Sequence, residues 1–575
     1  MEPLSRRDSL VLLAVLGTGV FLAGLELMIT AVALPAIVAD LATWTRLREA
    51  SWIINGYLLV YVVTMPLAGR LADLRGNRRL FLAALVVFIV GSGLAGAAPT
   101  LELLIAARLV QAVGGGALVP VATAAASHLF TGGSRPRALG VIGALTFLGM
   151  AAGPFLGAAI LDAFHPEAAL SRLGVDPGSV LAATFAPAWR WVFYVNVPVG
   201  IVALVLAWAA STGWETPRRP GRVDLLGAVL FSAFLVGALG ALTLLGSRSA
   251  SADGGPDPVV IALVLAGLAA VAGPVAVIRG LRVPDPFLDP RLFRSPSFSS
   301  AALVSLLTGY GLATAIVGAA VFVDRVLYGG PDEQRLALGA LAAATAAGAL
   351  LSGFAVRVLS LRLVTFVGLV ASVIGLWQMS GWTPATPIES AALSLALFGA
   401  GFGLTVTPRS TAAVESVSTS SYGTASSTVT VARMVGMAVG LAILTAYGST
   451  TIDHLYDQVY ATPEAYLQFI PEHLRDRPLK DGQVVEALEA WAAGEAAQIM
   501  VGVFLVAAAV TAAAIPPALL LDRRRRMLGD AGSDPVVPEP GEPGPDEPGP
   551  AQPDDHPTDE RGAPLVDAAS EPADA

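Results

Sequence analysis

Long apolar runs alternate with short polar breaks from residue 10 to residue 521. A run of about 20 apolar residues is long enough to cross the ~30 Å hydrocarbon core of a bilayer as an α-helix. Fourteen such runs fall near residues 10–34, 52–71, 80–98, 102–127, 138–162, 190–212, 224–245, 258–279, 298–323, 336–357, 362–382, 388–408, 421–449 and 497–521. The pattern predicts an all-α polytopic membrane protein with 14 transmembrane helices. The first run follows Arg6 and Arg7, as the apolar part of a secretory leader would. It is too long for that, lacks a small-residue cleavage site and carries Glu26, so it is read as the first transmembrane helix. The interval between the last two runs breaks the rhythm. From residue 483 to 521 no proline precedes Pro516, and a continuous helix of about 39 residues would span about 58 Å at 1.5 Å per residue. That is nearly twice the hydrocarbon core. Residues 450–496 are therefore expected to form an extended outer helical hairpin, with 452–470 as its other arm.

Composition narrows the function classes. With 55% hydrophobic and 14% charged residues, the chain carries far more apolar sequence than a soluble domain needs. It has no cysteine, which excludes disulfides, thiolate metal sites and cysteine catalysis. Its five histidines are scattered without metal-ligand spacing, and no metal, cofactor or enzymatic activity is expected. The formal charge of −9 misleads. Residues 527–575 hold 13 acids and one base, Arg561; without them 34 bases face 31 acids, a balance of +3. This tail is rich in Pro, Gly, Asp and Glu and is expected to be a disordered, solvated extension.

The remaining charge is unevenly placed. An even number of helices puts both termini on one side. The connections on that side, with the termini, carry 22 basic residues, against 10 on the other; Arg108 and Arg433 lie within membrane runs. Positive residues accumulate in the cytoplasm, so both termini are expected there. Arginine supplies all the bases but Lys480, a usage typical of GC-rich bacterial genes, which points to a bacterial cytoplasmic (inner) membrane.

The polar residues retained in the runs carry the chemistry. Between the second and third runs lie Gly69, Arg70, Asp73, Arg75, Gly76, Arg78 and Arg79. The glycines let helix ends approach, Asp73 can cap or pair at a neighbouring helix end, and the arginines hold the turn in the cytoplasm. A weaker echo, Gly353 to Arg362, begins 284 residues after Gly69 without the aspartate. This suggests two halves related by an internal repeat. The fourth run reads Arg108, Gln111, Gly114. A charge there costs about 2.5–3.5 kcal/mol on insertion scales, so it should face protein or water. The fifth run sets Gly149, Gly153 and Gly157 four apart, with Pro154 bending the helix. Glu26 in the first run can take up and release a proton as its surroundings change. The alternative is a structural ion pair with Arg108 or Arg433. The sixth run opens on Trp189, Arg190, Trp191, Asn196 and Pro198, read as structural and not as a substrate site.

These motifs together resemble the major facilitator superfamily. The 69–79 turn is similar to its G-x-L-x-D-x-x-G-x-R-R loop, the Arg108 stretch to its R-x-x-Q-G-x-G pattern, and the Gly149 stretch to its exporter motif G-x-x-x-G-P-x-x-G-G, with Ala158 replacing the last glycine. Glu26 and the W-R-W-x-F-x-x-N-x-P-x-G segment resemble the fourteen-helix drug:proton antiporter branch, which usually has Asp at the Glu26 place. The stretch around Arg433 resembles the mycobacterial triacylglycerol exporter subgroup of that branch, except that Phe147 stands where an acid is expected. The resemblance covers residues 10–521. It implies a major facilitator fold, with six-helix halves at 1–212 and 298–526 around a linker, 213–297, holding two inserted helices. It implies a proton-coupled secondary exporter driven by the proton gradient, with Glu26, Arg108 and Arg433 in the coupling. The implied cargo is a lipid of triacylglycerol type, or amphiphilic drugs in a multidrug:proton antiporter. The implied partners are the membrane, that substrate and a lipid-carrying lipoprotein on the outer side, with no nucleic acid. A membrane scaffold or receptor that transports nothing is the reading from another class.

Overall fold

In lipid a helix need not segregate polar from apolar faces, because bilayer and protein interior are both apolar, and its backbone must bond internally. The computed structural model follows that rule. It describes residues 6–41, 47–50, 52–176, 178–210, 216, 218, 221, 223–245, 257–460, 465–476 and 482–521, and fourteen helices among them are long and apolar enough to cross a membrane. They are α1 (Arg6–Leu41), α2 (Trp52–Arg75), α3 (Asn77–Ala97), α4 (Leu101–Leu129), α5 (Ser134–Ala163), α6 (Ala188–Ala209), α7 (Leu225–Leu245), α8 (Pro258–Arg282), α9 (Pro296–Arg325), α10 (Pro331–Val358), α11 (Leu361–Met379), α12 (Ile388–Glu415), α13 (Tyr422–Tyr460) and α14 (Gly482–Ala512). The described residues belong to one compact unit, Met1–Arg524.

Helix pairing repeats along the chain. Within α1–α6 the pairs α1–α5, α2–α4, α3–α4 and α3–α6 pack together; α9–α13, α10–α12, α11–α12 and α11–α14 reproduce them eight helices later. The two sets meet along α5–α10 and α2–α13. The helices between them, α7 and α8, pack on each other, and α7 also lies against α2 and α13. Phe231, Phe234, Leu235 and Leu239 of α7 share a cluster there with Tyr57, Tyr61 and Val431. Outward-facing Leu263, Val264 and Val271 of α8 are exposed, as apolar side chains facing lipid are.

Three expectations need correction. The turn at 69–79 is barely a turn: α2 is helical through Arg75, α3 starts at Asn77, and Gly76 alone separates them. Gly76 has φ 92°, a conformation that glycine adopts without steric penalty. The continuous helix over 483–521 is interrupted. Helix α14 runs from Gly482 to Ala512, and a separate turn, Ile515–Ala518, follows. Pro516 and Pro517 cannot donate to Ala512 and Ala513, so the ladder ends there. With Arg108 and Arg433 the only bases counted within the runs, Arg409 counts with the cytoplasmic connections and Arg190 with the outer ones; instead Arg409 is buried inside α12 and Arg190 in the first turn of α6. Each has backbone carbonyls to bond, as described below.

Helix α13 is 39 residues long, about 58 Å at 1.5 Å per residue, and so exceeds the hydrocarbon core. Phe469, between α13 and α14, meets Trp491 of α14 in a tilted pair with ring centres 4.3 Å apart, and Ile470, Leu474 and Val484 form a small core. The Tyr328 hydroxyl donates to the Glu489 carbonyl at 3.0 Å. Residues 461–464 and 477–481 of the expected extension lie outside the described residues, as do the arginines at 523–526 and the tail at 527–575.

Candidate functional site

Glu26 is fully buried. Arg108 of α4 forms an ion pair with it through Nη1. Thr30 donates to Glu26 Oε1 at 3.0 Å, one turn along α1. Asn196 Nδ2 donates to Oε2 at 2.6 Å. Arg108 Nη1 also reaches Gln111 Oε1 at 2.6 Å, Gln111 Nε2 donates to Ser92 Oγ at 3.0 Å, and Ser92 Oγ donates to the Phe193 carbonyl at 2.9 Å. The Arg108 guanidinium lies 3.9 Å from the centre of the Tyr57 ring. The result is a closed polar cluster drawn from α1, α2, α3, α4 and α6, in which the carboxylate and guanidinium satisfy one another. A buried pair of this kind offsets its desolvation cost only when such extra hydrogen bonds are present.

The surrounding sequence makes the cluster possible. A Cβ on Gly114 would meet the backbone of Phe88, and one on Gly116 the backbone of Tyr61. The glycines after Gln111 thus seat α4 directly on α3 and α2. The α5 motif does the same for the helix that carries the acid. A Cβ on Gly149 would strike the Phe21 carbonyl, and Gly153 and Gly157 press on Leu25 and Ile29. In α6 the helix breaks at Val195, between Ala188–Tyr194 and Asn196–Ala209. Pro198 sits in the first turn of the second segment, where no intrahelical donor is required, and the break leaves Asn196 facing Glu26. The stretch read as purely structural therefore contributes a ligand to the acid. The rest of it does anchor the helix. Arg190 Nη1 donates to the Gly96 and Ala98 carbonyls at 2.8 and 2.7 Å, Trp189 to Asp40 at 3.0 Å and Trp191 to the Phe185 carbonyl at 2.9 Å.

A second site joins the two helix sets. Asp73 accepts from the backbone N–H groups of Gly423 and Thr424 at 2.7 and 2.8 Å, and from the Thr424 hydroxyl at 2.6 Å. It caps the first turn of α13, whose free N–H groups and positive dipole end favour a carboxylate. Gly69 and Gly423 pack backbone to backbone. Arg70, buried in the last turns of α2, pairs with Asp285 of the α8–α9 connection. Asn77 donates its backbone and side-chain nitrogens to Thr216 Oγ1 at 3.0 and 3.2 Å. Arg75 and Arg79 are exposed and Arg78 is half-buried. The repeat of this motif, at Gly353, packs on the Pro136 carbonyl and Gly140 of α5. Arg357 stands there in the place of Asp73 and is exposed, so one of the two equivalent joints has the capping carboxylate.

Arg433 is not a partner of Glu26. Its guanidinium lies 5.5 Å from the Phe147 ring centre, and its Nε is buried without a hydrogen bond. The two charged centres connect through α2: Tyr57 under Arg108 stacks on Tyr61 at 5.7 Å, and Tyr61 shares an apolar cluster with Val431 and Met434, which flank Arg433 on α13. Arg409 donates from Nε to the Thr405 carbonyl at 2.9 Å and from Nη1 to the Thr308 hydroxyl at 2.6 Å. Sequence reasoning missed Thr30, Ser92, Arg409, Thr216 and Asp285. The first two are ordinary small polar residues in apolar runs. Arg409 did carry a signal, two residues after Thr407 and one after Pro408, which reads equally well as the end of a helix. Among the described residues no group of three or more His, Asp or Glu could hold a metal ion.

The comparisons agree with this geometry. The Major Facilitator Superfamily matches residues 16–441. A triacylglyceride transporter of Mycolicibacterium hassiacum is 32% identical over 473 residues, covering 79% of this chain and 82% of its own. A triacylglyceride transporter of Mycobacterium tuberculosis is 32% identical, covering 70% and 75%. A multidrug resistance protein B homolog of the same species is 29% identical, covering 75% of each chain. Among solved structures, a bacterial homolog of the human lysosomal transporter Spinster superposes with a TM-score of 0.54 at 19% identity, covering 90% of this chain and 98% of its own. With its fourteen helices, repeated pairing and glycine-lined contacts, the chain belongs to the Major Facilitator Superfamily.

Proposed function

We propose that the chain is a proton-coupled secondary exporter of hydrophobic or amphiphilic molecules, with lipid of triacylglycerol type as the favoured cargo. The observation that carries it is the Glu26 cluster: a buried carboxylate held by a guanidinium and two neutral donors. A proton taken up by Glu26 cancels the attraction to Arg108, while Gln111 and the Ile53 carbonyl, 3.4 Å from Nε, still accept from the arginine. Arg108 then has fewer ties to α1, and the Asp73 cap between α2 and α13 is the contact that must open for the halves to part. A proton moving down 100 mV supplies about 2.3 kcal/mol, comparable to the 1–3 kcal/mol typical of couplings between sites. In this reading the halves are 1–212 and 298–526, joined by 213–297, in a bacterial cytoplasmic membrane with both termini in the cytoplasm. The face bearing Gly76 is the cytoplasmic one, and there the Asp73 cap joins α2 to α13.

The lipid reading draws on two relatives named triacylglyceride transporters at 32% identity and on the length of α13. Residues 450–496 then form the outer extension, which guides lipid away from the mouth or docks a lipid-carrying lipoprotein. The multidrug reading draws on the relative named a multidrug resistance protein homolog. Reconstituted protein under an imposed pH gradient separates them. The lipid reading predicts triacylglycerol export that falls when α13 and α14 are each shortened by two turns, with efflux of a small cationic dye spared. Dye efflux without lipid export in the full-length protein overturns it in favour of multidrug export.

A further inference from the structure

We infer that the site around Arg433 and Arg409 binds the anionic headgroup of an amphiphile, which adds negatively charged lipids to the neutral cargo proposed above. The inference extends the export reading by naming the charge of this further substrate class, and rests on that reading only for the direction of movement. Two guanidiniums sit inside the second helix set, Arg409 on α12 and Arg433 on α13, each over one ring of a single aromatic pair. Neither forms an ion pair with an acid among the described residues. The contrast with Arg108, which has Glu26, lies within the same molecule.

Between the two arginines stand two rings. Arg433 lies over Phe147 at 5.5 Å, Phe147 meets Phe402 edge to face at 5.4 Å, and Arg409 lies over Phe402 at 5.3 Å. Aromatic faces lessen the cost of a buried cation but do not cancel its charge. Arg409 is buried and spends Nε and Nη1 on Thr405 and Thr308. Arg433 is half-buried, and no hydrogen bond engages it among the described residues. Charges within the membrane are costly and are ordinarily paired or placed on a substrate path. A guanidinium offers a planar fork that fits a carboxylate or phosphate. Beside it, Phe147 and Phe402 with Met150, Met437 and Val406 belong to one apolar cluster, which suits an acyl chain. An anionic headgroup at Arg433 with its chain along this cluster supplies the missing negative charge when the substrate enters.

The test is equilibrium binding to the full chain in nanodiscs of neutral lipid, without a gradient, so its result is independent of whether transport is proton-driven. Four probes share one oleoyl chain: oleate, oleoyl lysophosphatidate, monoolein and oleylamine. Oleate and lysophosphatidate are expected to bind at least tenfold more tightly than monoolein, with oleylamine weakest. Whichever anion is tighter identifies the headgroup as carboxylate or phosphate. Phe147→Glu places a carboxylate beside Arg433 and is expected to bring oleate to within twofold of monoolein; Arg433→Gln is expected to do the same. Monoolein binding as tightly as both anions overturns the inference, and so does an anion preference that survives in whichever of the two variants folds. The wild-type ranking alone decides the matter if neither folds.

Discussion

Asn196 shows how a neutral side chain sets the state of a charged one. Its amide donates at 2.6 Å to the Glu26 oxygen that Arg108 does not use, so the carboxylate is satisfied on both sides. Hydrogen bonds to charged groups contribute about 1.5–3 kcal/mol. Asn196→Ala is expected to cost that much in reversible unfolding, and Asn196→Asp more, because it sets a second carboxylate against Glu26. An alanine variant as stable as wild type would show that the amide contributes nothing. None of this was legible in the sequence. Glu26 and Arg108 stand out because charges are rare in apolar runs, whereas Asn196 is 170 residues from its acceptor and sits in a stretch whose aromatic residues suggest anchoring.

Asp224, just outside the membrane-crossing part of α7, is the residue whose pH behaviour can be read from its contacts. Burial by itself would raise its carboxyl. Hydrogen bonds from Arg279, at 2.7 and 2.9 Å, and from the Gly227 N–H at 3.0 Å outweigh that and hold it below the usual carboxylate range. A depressed group contributes stability that is complete above its unfolded value, about pH 3.9, and is lost as pH falls through the folded one. The difference in unfolding midpoint between wild type and Asp224→Asn should therefore be constant from pH 5 to 8 and vanish only in acid. A difference that shrinks between pH 7 and 5 contradicts this assignment.

At the scale of elements, glycines decide which helices touch. The Gly149, Gly153, Gly157 face was read as a close-packing surface, and it receives α1; spacing alone could not say which helix would lie there. Helix existence was legible because the bilayer dictates the length of an apolar run. Helix ends were less so. The ladder of α13 continues through Asp453, His454 and Asp457, where hydropathy no longer marks it, and prolines stop α14 nine residues short of 521. The α2–α13 joint combines glycine contact with a charged cap. Asp73→Asn keeps the shape and removes the charge, with an expected differential of roughly 1–2 kcal/mol between closed and open states. The chain has no cysteine, so spin labels can be placed at Arg79→Cys and Thr419→Cys alone, both exposed in wild type. Double electron–electron resonance should show the long-distance population rising roughly 5- to 30-fold relative to the short one. Unchanged distance populations would remove Asp73 from the conformational equilibrium.

For the molecule as a whole, the polar residues divide into two centres of different character. One, in the first helix set, is neutralised internally by Glu26 and Arg108; the other, around Arg409 and Arg433, has no acid among the described residues. Tyr57, under Arg108, stacks on Tyr61, which packs with Val431 and Met434 on either side of Arg433. The family and its repeated halves were legible from motif spacing, because each motif marks a place where backbones must approach or a charge must be met. The division of charge between the centres was not, since it depends on which arginine reaches Glu26 once all five helices of the cluster are assembled. Proton coupling, as proposed above, rests on Glu26. The direct measurement is proton movement driven by a substrate gradient in proteoliposomes, with wild type and Glu26→Gln reconstituted at equal density and matched thermal stability. An inward substrate gradient is expected to drive protons out and alkalinise the lumen with wild type, and to leave the lumen unchanged with Glu26→Gln, while substrate exchange across the membrane without a gradient persists. Proton movement at the wild-type rate in the variant would contradict it.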